Sequence, residues 1–82
     1  MKKILVIENS SPILNIIETV LTRSGYEVEV AHNGNEGIEF LDEHSDFNVV
    51  ITDIRMPGAT GNEVAEHIRE NEMLRETPVI AI

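Results

Sequence analysis

Three residues stand where side-chain chemistry is best placed. Glu8 and Asn9 follow the apolar run Ile4-Leu5-Val6-Ile7, and Asp53 follows a second apolar run within Phe47 to Thr52. If these runs are neighbouring parallel strands, their carboxyl ends bring two carboxylates and an amide into one shallow acidic pocket. Ligands of open α/β sheets bind at that end, where the strand order reverses. The bland alternative stays open at this point: an Asp before a loop commonly bonds turn amides, and Glu8 and Asn9 could equally be solvated turn residues.

Other candidates for chemistry fall away on spacing. Ser10 and Ser11 could be paired with His32 or His44, but no G-x-S-x-G elbow surrounds them, and Ser11 is expected to cap a helix. His32, His44 and His67 lack ligand-like spacing and are expected at the surface. Gly34 and Gly37 belong to no G-x-x-x-x-G-K-[ST] phosphate loop. Arg55 and Met56 are loop positions open to a partner or to solvent, and the Glu run from Glu63 to Glu76 reads as a solvated helix face.

The elements that must carry Glu8, Asn9 and Asp53 follow from periodicity. Ile4 to Ile7 is apolar at every position, which suits a central parallel strand covered on both faces. Ser11-Pro12 opens a helix with Ile13, Leu14, Ile16, Ile17, Val20 and Leu21 at helical spacing, and Gly25 stops it. In Tyr26 to Ala31, Glu27 and Glu29 alternate with Val28 and Val30, the mark of an edge strand with one wet face. Asn33 with Glu36 resembles a capping box for a helix carrying Ile38, Phe40 and Leu41, somewhat weakened by Gly34 and Gly37. Pro57, Gly58 and Gly61 make a loop after Asp53. A helix from about Asn62 turns Val64, Ala65 and Ile68 inward and Glu63, Glu66, Arg69 and Glu70 outward, and Thr77-Pro78 leads into Val79 to Ile82. The order β-α-β-α-β-α-β implies a parallel sheet with helices on both faces.

The totals limit what such a molecule does. Eighty-two residues form one domain, residues 1–82. A domain of this size buries roughly 60% of its unfolded surface, so its stability margin is thin. Fifteen acidic against six basic residues give a net charge of −9, which repels nucleic-acid phosphates and anionic lipid. Nucleic-acid binding by this chain alone is not expected. The absence of cysteine excludes a disulfide scaffold and thiolate metal sites and fits the cytoplasm. No apolar run approaches the ~18 residues of a membrane span, and four apolar residues before Glu8 are too few for a signal-peptide core.

Four segments together resemble a response-regulator receiver domain: ILVIENSSP at 4–12, HNGNEGIEFL at 32–41, VVITDIRMPGATGNEV at 49–64 and TPVIAI at 77–82. The resemblance implies a flavodoxin-like (CheY-like) three-layer α/β/α fold with strand order 2-1-3-4, truncated after the fourth strand. It also implies that Asp53 accepts a phosphoryl group from a histidine kinase or phosphotransfer protein, with Mg²⁺ held by Glu8, Asn9, Asp53 and the backbone carbonyl of Arg55. A carboxylate suits that role because, once ionised, it attacks phosphorus without a base to remove a proton. A cation is needed because carboxylate and phosphoryl oxygens repel one another.

Two departures from the family carry expectations. Receivers usually place two acids after the first strand, whereas here Glu8 is followed by neutral Asn9, so Mg²⁺ binding weaker than usual is expected. The Thr or Ser after the fourth strand, the fourth helix, the Lys-ended fifth strand and the fifth helix are not in this sequence, so Val79 to Ile82 and one flank of the first helix are expected to be bare and to pair two copies as a homodimer. The leading expectation is a signalling module rather than an enzyme. Its rivals are a degenerate receiver serving only as an interaction or dimerisation unit, and a phosphotransfer enzyme turning over at Asp53, for which no general acid/base lies nearby in sequence.

Overall fold

A computed structural model describes residues 2–54 and 60–82. Its elements are β1 (Lys3–Ile7), α1 (Ser11–Arg23), β2 (Glu27–Ala31), α2 (Gly34–Glu43), β3 (Val49–Thr52), α3 (Gly61–Glu70) and β4 (Val79–Ala81). The strands form a four-stranded parallel sheet in the order β2-β1-β3-β4. The flavodoxin-like arrangement implied by the resemblance is therefore present.

The alternation of side chains along β1 separates two cores. Leu5 and Ile7 point to one face, where they meet Leu41 of α2, Val64 and Ile68 of α3, and Val50 of β3. Ile4 and Val6 point to the other, where they meet Leu14, Ile17 and Leu21 of α1 with Val28, Val30, Val49 and Ile51. A strand buried on both sides needs apolar residues at every position, and β1 has them. Each fully buried aliphatic side chain stabilises the fold by ~1.5–3 kcal/mol, so these two layers dominate its energetics. At the edge, β2 keeps Glu27 exposed, but Glu29 is half-buried like Val28 and Val30, so the expected wet face is only partly open.

Helix starts follow their caps. Asn33 Oδ1 accepts from the Glu36 amide at 2.9 Å, and Glu36 Oε2 returns a bond from the Asn33 side-chain amide at 3.3 Å, so the predicted capping box is present in modified form. α1 ends before Gly25, whose φ of 92° lies in the left-handed region.

Four expectations need correction. Ser10, not Ser11, occupies the N-cap of α1, and its side chain makes no capping bond. α3 starts one residue early, at Gly61, because Thr60 caps it through a 3.3 Å bond from the Glu63 amide to its hydroxyl. The segment up to Glu76 is not one solvated helix face: α3 ends at Glu70, and the turns that follow put Leu74 fully into the core. Gly37 is more than a weak point in α2, because a Cβ there would meet Ile7 Cγ1 at 2.9 Å, so the bare backbone lets α2 lie close on β1.

Candidate functional site

The parallel ladder runs one residue beyond the ends of β1 and β3. The Glu8 amide donates to the Ala31 carbonyl at 3.0 Å, and the Asp53 amide donates to the Ile7 carbonyl at 2.9 Å. With Ile7 opposite Thr52, Glu8 and Asp53 are the next pair of strand tips. The structure brings these two sequence candidates together.

Glu8 is buried, with 4% of its surface exposed, and Asp53 is half-buried. Burial is the first cause that raises the Glu8 carboxyl above its ordinary range. A hydrogen bond with the Asp53 carboxyl and the negative charge of Asp53 push the same way, while the backbone amides of Ser10 and Asn9 partly oppose them. Two carboxyls bond to each other only through a proton, and Glu8 is the one whose hold on a proton is strengthened by its surroundings. The Ser10 amide donates to Glu8 Oε2 at 3.4 Å.

Asn9 is exposed at the same rim, its amide turned to Glu8. Arg55, whose carbonyl completes the expected ligand set, lies outside the described residues. Among the described residues no group of three His, Cys, Asp or Glu could hold a metal. The rim therefore offers two carboxylates and one amide oxygen. Such hard oxygen donors suit Mg²⁺ rather than zinc, and a pair of carboxyls that must share a proton when metal-free is a place where a cation relieves repulsion. The residues present fit Mg²⁺, with one acid fewer than a fully charged set.

Two of the three histidines are engaged elsewhere. His67 Nε2 lies 2.7 Å from Asp42 Oδ1, tying α3 to α2, and His32 Nδ1 lies 3.5 Å from Glu36 Oε1. Ser10 meets Glu8 only through its backbone amide in the bonds described. These arrangements give no nucleophile–base pair.

Two neighbours of Asp53 escaped the sequence reading. The buried Thr52 hydroxyl donates to the Asp53 carbonyl at 3.0 Å. Gly61 faces the same carbonyl from α3, and a Cβ on it would stand 2.5 Å from that oxygen and 2.9 Å from Ile54 Cα. The only signal available in the sequence was a glycine directly after a Thr cap. A hollow of about 680 Å³ opens beside them between α3 and β4, lined by Thr52, Ile54, Gly61, Arg69 and Val79 among others. Glu8 and Asp53 do not line it, so the carboxyl pair occupies a separate, shallow niche.

Comparison with known proteins agrees with this fold. Residues 4–82 match the response regulator receiver domain family. The chain is 40% identical over 81 residues to the chemotaxis protein CheY1 of Helicobacter pylori, covering 98% of this chain and 65% of that protein. The chemotaxis response regulator CheY4 of Vibrio cholerae superposes with a TM-score of 0.94 at 32% identity, covering 99% of this chain and 67% of that one. The receiver domain of the sensor histidine kinase PA1611 of Pseudomonas aeruginosa, solved with a magnesium ion coordinated in its active-site cleft, gives 0.91 at 26% identity, covering 98% and 65%. The chain thus spans just under two thirds of the length of the curated relative it matches. It belongs to the response regulator receiver domain family of two-component signalling.

Proposed function

We propose that this chain is a Mg²⁺-dependent phosphoacceptor whose Asp53 takes a phosphoryl group from the phosphohistidine of a histidine kinase or phosphotransfer protein. The supporting observation is the hydrogen-bonded pair of Glu8 and Asp53 at adjacent strand tips. An Asp53 carboxylate oxygen attacks phosphorus, the phosphorus–nitrogen bond breaks, and the imidazole of the donor departs with that electron pair. No base is needed, because a carboxylate nucleophile carries no proton that must be removed before it attacks. Glu8, Asn9, Asp53 and the Arg55 backbone carbonyl are the proposed metal ligands. Mg²⁺, when bound, neutralises the charge that accumulates between carboxylate and phosphoryl oxygens. To hold the ion Glu8 would give up its proton, while the Ile7 and Ala31 carbonyls keep the two strand tips in register.

Receiver domains are signalling proteins rather than classical enzymes, and the change on phosphorylation is passed on by altered contacts. The chain is read as one receiver unit over residues 1–82, acting in the cytoplasm. Among the described residues no helix is long and apolar enough to cross a membrane. A homodimer through β4 and the outer flank of α1 is part of the proposal, supported by the exposed Ile13, Ile16, Val20, Ile80 and Ile82. That same surface, together with the neutral Asn9, favours a second reading in which the chain is an interaction unit that is never phosphorylated.

Incubation with Mg²⁺ and a small acyl phosphate, followed by intact-mass measurement, separates the readings. The proposal expects one phosphoryl adduct on the wild type and none on Asp53→Asn. No adduct on either leaves the interaction unit, and continuous consumption of donor would mark an enzyme.

A further inference from the structure

Backbone bonds from three directions converge on Asp53. Its amide is held by the Ile7 carbonyl at 2.9 Å, the preceding Thr52 carbonyl accepts from the Ile82 amide at 2.9 Å, and the Ile54 carbonyl accepts from the Gly61 amide at 3.1 Å. The carbonyl of Asp53 itself lies between the Thr52 hydroxyl, 3.0 Å away, and the bare Cα of Gly61. We infer that Gly61 and Thr52 are positioning residues for Asp53, fixing the peptide that carries the acceptor carboxylate. The inference rests on the reading of Asp53 as acceptor.

Gly61 acts through space that a side chain would fill. A Cβ would come to 2.5 Å from the Asp53 carbonyl oxygen, 2.9 Å from Ile54 Cα and 3.2 Å from the Asp53 carbonyl carbon. All three atoms are backbone, so no rotamer change relieves the clash. Normal contact at about 3.5 Å requires a displacement of roughly 1 Å. α3 is poorly able to yield, because Val64 and Ile68 are locked in the core and Thr60 caps its first turn. The Asp53–Ile54 segment must then take up part of the displacement against its bonds to Ile7 and Gly61. A displacement of that size at a reacting carboxylate lowers rates on the order of 10- to 100-fold. Thr52 works through its hydroxyl, whose bond to the Asp53 carbonyl sets the tilt of that peptide, and valine keeps its shape while losing the bond.

The test compares Gly61→Ala and Thr52→Val with Ile68→Val, a core change farther along α3 that lowers stability without touching Asp53. The rate of adduct formation from a small acyl phosphate at saturating Mg²⁺ is read by intact mass, and amide resonances are read by NMR on the same samples. Gly61→Ala is expected to slow the adduct roughly 10- to 100-fold and to displace the Asp53 and Ile54 resonances. Thr52→Val is expected to slow it several-fold, and Ile68→Val to keep the wild-type rate. A folded Gly61→Ala that reacts at the wild-type rate overturns the inference. If Gly61→Ala does not fold, Thr52→Val decides in the same way. A wild type that forms no adduct removes the acceptor reading instead, and undisturbed Asp53 and Ile54 resonances in both variants would then remove the positioning role as well.

Discussion

At the residue scale the main feature is a buried carboxyl held beside a second one. Glu8 has its folded pKa raised above the ordinary 4.5, first by burial and then by Asp53, so the folded chain binds this proton more tightly than the unfolded chain. The resulting stabilisation is fully present below the unfolded value and is lost as pH rises through the folded one. Metal-free wild type therefore loses, as pH rises above about 4.5, stability that Glu8→Gln retains. The comparison must be made between those two proteins, because Asp46, held low by Lys3, contributes with the opposite sign. At neutral pH Glu8→Gln is expected to be more stable by about 1 kcal/mol, raising the melting midpoint by roughly 4–8 °C, and to lose the stabilisation that Mg²⁺ gives the wild type. Asn9 yields a companion prediction. Asn9→Asp adds a ligand charge and should tighten Mg²⁺ by about tenfold in calorimetric titration, an unchanged affinity counting against Asn9 as a ligand. Glu8 and Asp53 were legible in the sequence because each directly follows an unbroken apolar run. Thr52 and Gly61 were not, because their importance lies in a contact between β3 and α3 that spacing along the chain does not encode.

At the scale of elements, periodicity foretold nearly every strand and helix, since strands with two covered faces and helices with one are the simplest patterns to read. What it missed lies at boundaries and in turns. Ser10 and Ser11 compete for one cap, and only the backbone dihedrals decide between them. Leu74 sits beside one other apolar residue, Met73, in an otherwise polar stretch, so no repeating pattern marks it as core, although it is fully buried while Met73 is exposed. Gly37 shows propensity and packing in opposition. Alanine in its place gains up to about 1 kcal/mol in helix propensity, yet it overpacks against Ile7, which typically destabilises by ~1–3 kcal/mol. The Ile7 atoms involved belong to a side chain with no exposed surface, so packing should win. Gly37→Ala is expected to lower stability in urea denaturation by about 1 kcal/mol net, and a more stable variant would show that α2 has room to withdraw.

At the scale of the whole molecule, the two faces of the sheet are unequally covered. The outer flank of α1 leaves Ile16 at 65% and Val20 at 57% exposure, Ile80 of β4 is half open beside an apolar hollow that Leu21, Tyr26, Val49 and Ile51 also line, and Ile82 just past the strand is half open too. Surfaces of this kind associate, and a net charge of −9 opposes association until salt screens it. Concentration-dependent light scattering is expected to show dimers that strengthen with added salt, and a monomer at every concentration and ionic strength would count against pairing. The central claim is narrower than any of this: one carboxylate, that of Asp53, receives the phosphoryl group. Reduction of the phosphorylated chain with borohydride converts an aspartyl phosphate to homoserine, and peptide sequencing locates it. The account predicts homoserine at position 53 alone, dependent on Mg²⁺ and on Glu8; conversion at another acid, or none in a sample that carries the adduct, would contradict it.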